Sequence, residues 1–247
     1  MISLKEALVS KNRNVNIDRE GEILNFLRNN YTFYTGTYKN SVDVTNIIID
    51  AYGTGDQYDV LKLNAKGIIN IKSPNLIISL NKDAESLTDG LFEWGELKIN
   101  MFRCIGCKNL KSLTGSPKKL IGDPKKHTGG FDCSRCDNLI SLEGGPLKST
   151  WFSCNSCPNL KTLEGAPEYV DIEFNCSYCD NLISLEGMSQ FKYSKISNDI
   201  VSVCNCIGCP KIKSLKGIPQ IISKIFVTRK YIVDTADIPD YKIKWYN

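Results

Sequence analysis

Five Cys-x-x-Cys pairs dominate this sequence and limit what it can fold into. Their first cysteines are residues 104, 133, 154, 176 and 206, which are 29, 21, 22 and 30 residues apart. A base period of about 22 residues with two insertions accounts for all four spacings. Self-similarity at such a period is typical of proteins that stack one structural unit per repeat. The sequence therefore predicts a repeat architecture.

The residues around each pair repeat as well. The segments read FRCIGCKNLKSLTGSP, FDCSRCDNLISLEGGP, FSCNSCPNLKTLEGAP, FNCSYCDNLISLEGMS and CNCIGCPKIKSLKGIP. Their frame, F-x-C-x-x-C-x-(N)-L-x-(S/T)-L-x-G-x-P, places apolar side chains at steps of 2, 3, 3 and 3. A step of two is the pleat of a strand, and steps of three suit a tight turn and a 3₁₀-like or extended return. We therefore expect a mainly β repeat solenoid with short 3₁₀ or irregular returns.

This frame resembles the leucine-rich repeat, L-x-x-L-x-L-x-x-(N/C)-x-L, over about residues 76 to 230. Phe takes the second leucine position, the first cysteine takes the third, and the second cysteine takes the Asn/Cys position. The motif C-x-N-L-x-S-L-E-G-x-P is also similar to repeats of uncharacterised bacteriophage proteins. The resemblance implies a leucine-rich-repeat-like fold in a phage-encoded protein.

The chain is expected to have three parts. Residues 1–63 form a small α+β N-terminal cap or module, residues 64–230 a solenoid of about six coils, and residues 231–247 a C-terminal cap. In the first part, apolar patterning predicts helices and strands in the ranges 4–11, 17–29, 46–50 and 58–63.

Fixed step counts extend the register beyond the cysteine pairs. Counting back from Leu87 defines a degenerate copy, with Ile78 at the first-cysteine position and Asn81 at the second. Counting 22 residues forward from Cys206 reaches Thr228 in the last expected strand. This count assigns Thr228 to an inward position, so Val227 and Arg229 on either side of it are predicted to face outward.

Eleven cysteines are an unusual number, and because the number is odd they cannot all pair within one chain. The N-terminal sequence has no secretory signal, so reduced thiols and a cytoplasmic location are expected, the host cytoplasm for a phage protein. We interpret the pairs as packed thiols, because they fall on inward positions, and expect no metal and no cofactor. Zinc remains the alternative, because neighbouring pairs could offer four thiolates to one ion.

The outward strand positions are the candidate partner-binding residues. They combine aromatic, basic, apolar and small polar groups, as recognition surfaces do: Met101, Arg103, Ile105, Asp132, Trp151, Asn155, Glu173, Asn175, Asn205 and Arg229. Trp151 stands out, although it could equally pack beneath the insertion at 118–130. That insertion and the one at 188–201 are further candidates for contact.

No catalytic constellation is recognisable in the sequence. His127, the single histidine, is expected in an exposed loop, and a net charge of +4 permits contact with nucleic acid without favouring it. No segment is apolar over the length needed to span a membrane. We therefore expect a non-enzymatic protein–protein interaction module, a phage-encoded factor that binds a host or defence protein. The alternative is a zinc-stabilised nucleic-acid-binding protein that uses the Lys-rich insertion.

Overall fold

The computed structural model describes residues 17–35, 40–42, 61–63, 68–190 and 203–247. This part of the chain is mainly β, with twelve strands in one sheet and one α-helix, which confirms the expected β-rich class. The helix and strand expected at 4–11 and 46–50 lie outside the described residues. So do the first three residues of the strand expected at 58–63 and most of the insertion at 188–201.

The helix and strands follow one another along the chain as α1 (Ile17–Asn30), β1 (Tyr31–Thr35), β2 (Asn40–Val42), β3 (Leu61–Leu63), β4 (Ile68–Leu80), β5 (Glu93–Arg103), β6 (Lys119–Leu120), β7 (Gly130–Asp132), β8 (Lys148–Ser153), β9 (Tyr169–Asn175), β10 (Val203–Asn205), β11 (Lys224–Thr228) and β12 (Ile243–Tyr246). Three short 3₁₀ helices span Pro124–Lys126, Glu186–Gln190 and Asp240–Lys242.

From β4 onward, neighbouring strands run parallel. The order is β4, β5, then β6 and β7, then β8, β9, β10, β11 and β12. At the other edge, β1 and β3 pair antiparallel with β4, and β2 pairs antiparallel with β1. The expected helix at 17–29 is confirmed as α1, whereas β1 was not expected from the sequence.

The inner face of the sheet carries the aromatic position of the frame. Phe102, Phe131, Phe152 and Phe174 pair level with one another across neighbouring strands. Their rings stack nearly parallel, with centroids 5.6, 5.4 and 5.3 Å apart. The cysteines and leucines of the frame are buried in the same apolar cluster. The inward assignment of the frame is therefore correct.

A second aromatic cluster covers the β4–β5 end of this core. Tyr31 packs edge-to-face on Trp94 and Phe102, and its hydroxyl donates a hydrogen bond to the Leu87 carbonyl at 2.5 Å. The Trp94 indole N–H donates to the same hydroxyl at 3.3 Å. Burial raises the pKa of Tyr31 well above its ordinary value. Both polar groups are thus satisfied inside the apolar environment.

The register of the degenerate copy differs from the step count. Ile78 pairs with Phe102, so it occupies the aromatic position and not the first-cysteine position. Asn81 is also not a second-cysteine equivalent, because its amide donates to the Asn29 carbonyl at 2.7 Å and ties α1 to the sheet. A shorter turn between β4 and Leu87 causes the difference, and a fixed count cannot detect it.

The last expected strand is shifted by one residue. Asn205 pairs with Phe226, which places Val227 inward at 0% exposure and Phe226 outward. The prediction that Val227 faces outward was wrong, because the copy is 21 residues long at this point and one residue of register exchanges the faces of a strand. The range expected as a C-terminal cap contributes β12, which continues the parallel sheet.

Candidate binding surface on the sheet

Two rows of side chains cross the outer face of the sheet. In the first row, Trp151 pairs with Glu173, and Glu173 with Val203, across β8, β9 and β10. Met101 lies at the level of Gly130 in the same row. The second row joins further residues of the predicted set and its neighbours: Arg103, Asp132, Ser153, Asn175, Asn205 and Phe226.

The predicted partner-binding residues are partly buried, except for Arg229, which is exposed. Ile105 and Asn155 follow the ends of β5 and β8, beyond the second row. Arg229 lies at the far end of the sheet, where its guanidinium stacks over the Trp245 ring at 5.3 Å from the centroid. The surface therefore brings together the residues from β5 to β10, and Arg229 belongs to a separate contact.

Three polar members of the second row stabilise the turns that follow their strands. The Asp132 carboxylate accepts the Ser134 backbone N–H at 3.1 Å, and the Asn175 side-chain oxygen accepts the Ser177 N–H at 3.0 Å. The Asn205 oxygen accepts the N–H of residue 207 at 3.2 Å. Side chains that accept a backbone N–H two residues later form Asx turns. These residues thus have a structural role on the surface where a partner was predicted.

Trp151 packs against the insertion and still remains partly exposed. Its indole N–H donates to the His127 carbonyl at 3.2 Å, and its ring lies on Gly130 of the adjacent strand. A Cβ on Gly130 would lie 2.0 Å from the ring, so only glycine leaves room for the indole. His127 has a left-handed backbone with φ of 54° and closes the short helix Pro124–Lys126. The predicted contact between Trp151 and the insertion is therefore present.

Glu173 lies directly beside Trp151 in the first row. Burial raises the pKa of its carboxyl, and nearby His127 acts in the opposite direction. Within the described part of the chain, its carboxylate has no hydrogen-bond or ion-pair partner. A partly desolvated charge without a partner is energetically costly, and sequence patterning gives no sign of it.

The second cysteines form a ladder of hydrogen bonds beneath this surface. Four of these five thiols donate to the carbonyl of the first cysteine in the preceding copy, with sulfur–oxygen distances of 2.9 Å for Cys136 to Cys104, 3.3 Å for Cys157 to Cys133, 3.2 Å for Cys179 to Cys154 and 3.1 Å for Cys209 to Cys176. All eleven cysteines are buried and free. The described residues contain no group of three or more His, Cys, Asp or Glu arranged to hold a metal ion.

Burial also changes the acidity of these thiols. It raises the pKa of Cys154, Cys157 and Cys176, and that of Cys179 to about 12. The thiolate is the nucleophilic form of cysteine, so thiols that stay protonated at neutral pH are unreactive. Cys136 differs, because hydrogen bonds from the Cys104 and Cys107 thiols lower its pKa. The ladder thiols of Cys157, Cys179 and Cys209, whose pKa burial raises, are therefore suited to packing and hydrogen bonding.

An asparagine ladder, not recognised from the sequence, runs parallel to the thiols. Each side-chain amide donates to a carbonyl one copy earlier, at 3.0 Å for Asn109 to Asp83, 2.5 Å for Asn138 to Lys108, 2.8 Å for Asn159 to Asp137 and 2.8 Å for Asn181 to Pro158. The recurrent Asn of the frame was the signal for it. Its donor reaches a backbone acceptor in the neighbouring copy, which the motif alone does not specify.

The basic insertion has acidic neighbours. Lys118 lies 2.8 Å from Glu93, and Lys119 lies 2.7 Å from Glu96, both on β5. Lys126 lies 4.0 Å from Asp123 within the insertion. These exposed pairs contribute little to stability, but they offset much of the positive charge that would attract a phosphate backbone.

Comparison with known proteins gave no match: no family model fits the chain, and neither a curated protein nor a solved structure is similar to it. Within the described residues, no helix is both long enough and apolar enough to cross a bilayer.

Proposed function

We propose that this chain is a leucine-rich-repeat-like solenoid and acts as a non-enzymatic protein-binding module through the outer face of its sheet. The parallel strands, level phenylalanines and two inter-copy ladders support the solenoid, because each of them joins a copy to its immediate neighbour. We further propose that the protein is phage-encoded, acts in the host cytoplasm and binds a host or defence protein. The similarity of its repeat motif to repeats of bacteriophage proteins supports this proposal.

One observation carries the binding proposal. The first outer row brings Trp151, Glu173 and Val203 side by side on adjacent strands, and all three remain partly exposed. An aromatic ring, a carboxylate and an aliphatic group at one level of adjacent strands are the mixture that protein interfaces use, with aromatic anchors surrounded by polar groups.

Site-specific photo-crosslinking tests this proposal. Benzoylphenylalanine at Met101 or Asn205 would report contacts of the outer face, and the same group at Ile140 or Ile183 would report the return side. Both control positions are exposed, at 50% and 59%, so the probe is at least as accessible there as at the partly buried outer-face positions. We expect one discrete protein adduct from the outer-face positions and none from the controls. Adducts from the return side alone would contradict the assigned surface, and no adducts from either side would contradict the binding function.

The alternative is a zinc-stabilised nucleic-acid-binding protein that uses the Lys-rich insertion. The exposed lysines Lys72 and Lys98, which pair across β4 and β5, would add positive charge to such a surface. Zinc content of untagged protein, measured together with thiol titration, separates the two proposals. Stoichiometric zinc and salt-dependent retention on nucleic acid would favour the alternative. Eleven titratable thiols without metal would favour the protein-binding module.

A further inference from the structure

We propose that Trp151 and Glu173 together form a receptor for a cationic side chain, arginine or lysine, of the bound protein. This inference rests on the proposed function and specifies the chemistry of the partner at one point of the outer face.

The two residues occupy the same level on adjacent strands. They pair across β8 and β9, and neighbouring strands lie about 4.8 Å apart. A guanidinium or ammonium group that approaches this point can meet the indole and the carboxylate at the same time. Cations bind favourably over the face of tryptophan, the strongest of the aromatic side chains in this respect.

The carboxylate of Glu173 requires such a group. It is partly desolvated, and the described residues offer it neither a hydrogen bond nor an ion pair. Nearby bases do not fill this role: His127 influences the carboxylate without an ion pair, and Lys224 lies two strands away in the same row. A cation from a partner would convert a cost of the free protein into an attraction in the complex.

The indole is held in position before any partner arrives. Its N–H is bound to the His127 carbonyl, and Gly130 supports the ring from the adjacent strand. A side chain that is already ordered loses little conformational entropy on binding, which favours affinity. The same chain stacks Arg229 over Trp245 at its last strand, so it already forms this kind of contact internally.

Titration of the full-length protein with blocked peptides tests the inference. The probes are acetyl-Gly-Arg-Gly-amide, its lysine analogue, and a citrulline analogue that keeps the shape of arginine without its charge. The readout is the indole N–H resonance of Trp151, assigned with Trp151→Phe and distinguished from those of Trp94 and Trp245. We expect a saturable shift with the arginine or lysine peptide and none with citrulline.

Two variants make the test specific. Glu173→Gln keeps the size of the side chain and is expected to lower the affinity for the arginine or lysine peptide by roughly tenfold, since one charge-assisted contact is lost. Glu164→Gln, an exposed glutamate outside the strands, is the matched control and should change nothing. Equal shifts with citrulline, equal binding by Glu173→Gln, or no shift at millimolar peptide would overturn the inference.

The failure of this inference and the failure of the proposed function are distinguishable. Crosslinks from the outer face without peptide binding would leave the protein-binding function intact and remove the cation receptor. Peptide binding without crosslinks from either side would retain a cation site and remove the protein-binding function.

Discussion

The inner and outer faces of the sheet follow different rules, although the same strands supply both. On the inner face, one level is Phe in four neighbouring strands, and the rings stack with nearly constant separation. On the outer face, the neighbouring row changes from Gly130 to Trp151, Glu173 and Val203. The segments that share the cysteine frame therefore agree on the inner face and diverge on the outer face.

This difference has a physical cause. An inner side chain must fit the one above and the one below it, so a ring of equal size in every copy fills the space without voids. An outer side chain meets water and any partner, so packing leaves its identity open. The contrast teaches where to look for specificity in this chain, which is the partly exposed outer row.

Alkaline pH should affect the inner face most strongly. Burial raises the pKa of Cys179 to about 12, above its value in an unfolded chain, so its stabilising contribution is complete below the unfolded pKa of about 8.5 and is lost as pH rises toward the folded value. Each such thiol removes about 1.4 kcal/mol of unfolding free energy per pH unit in that window. We therefore expect cooperative unfolding between about pH 9 and 11, followed by circular dichroism and thiolate absorbance.

If thiolate absorbance rises near the ordinary cysteine pKa while the circular dichroism is unchanged, the thiols are accessible to water. The inner face would then not be the closed apolar layer described above. Raised ionic strength at pH 7 is the control, because it screens surface pairs without deprotonating a thiol.

Phe152→Ala should have the largest effect among single substitutions. It removes one ring from the middle of the stack, and burial at 0% leaves a cavity that the rigid neighbours cannot close. We expect a loss of about 3–5 kcal/mol in the free energy of unfolding, measured with guanidinium chloride. Val203→Ala on the outer row is the control, with an expected cost of about 0.5 kcal/mol. Equal costs would mean that the two faces do not differ in packing.

Cys157→Ala tests how much a buried hydrogen bond between two copies contributes to stability. It leaves the buried Cys133 carbonyl without the thiol donor at 3.3 Å, for a cost of about 1–3 kcal/mol. Asn159→Ala is the matched variant, because it removes the same kind of bond between the same two copies at an exposed site. A cost of about 1 kcal/mol or less is expected there, since water can replace the lost donor. A larger loss of unfolding free energy for Asn159→Ala than for Cys157→Ala, measured with urea, would show that burial does not determine how much each hydrogen bond contributes to stability.

Gly130→Ala should have a smaller effect on stability than Phe152→Ala or Cys157→Ala, and a clear local effect. The new methyl group would lie 2.0 Å from the Trp151 ring, so the indole must leave its place on β7. We expect a cost of about 1 kcal/mol and a displaced indole N–H resonance. Gly21→Ala in α1 is the control, because nothing lies within 4 Å of the new methyl group. It should leave the Trp151 resonance in place and raise stability slightly.

The proposed cation receptor also predicts an effect of Gly130→Ala on peptide binding. If the ring is displaced, the cationic peptide should bind more weakly even though Glu173 is intact. Unchanged binding by this variant, together with a shifted indole resonance, would show that the carboxylate acts without the ring.

The period of the cysteine pairs determined by itself which residues are buried. The frame specified Phe, two cysteines and two leucines per copy as the inward set, and those of the regular copies all lie in the core cluster. Separately, the apolar spacing of residues 17–29 predicted α1. These features depend on local geometry, since a strand alternates its faces with a period of two and a helix repeats every 3.6 residues. A single sequence contains that information directly.

Tertiary structure alone decided how the copies align and what their outer side chains do. The shift of Val227 to the inner face and of Ile78 to the aromatic level follow from turn lengths, which the step count assumed to be constant. The pairing of β1 with β4 joins residues more than forty positions apart, and no local pattern encodes it. The turn bond of Asp132 and the missing partner of Glu173 likewise depend on neighbours brought close by folding. Periodicity determines which face of its own strand a side chain lies on. Its neighbours across the sheet depend on the register of the adjacent strand, and that register is fixed only in the folded chain.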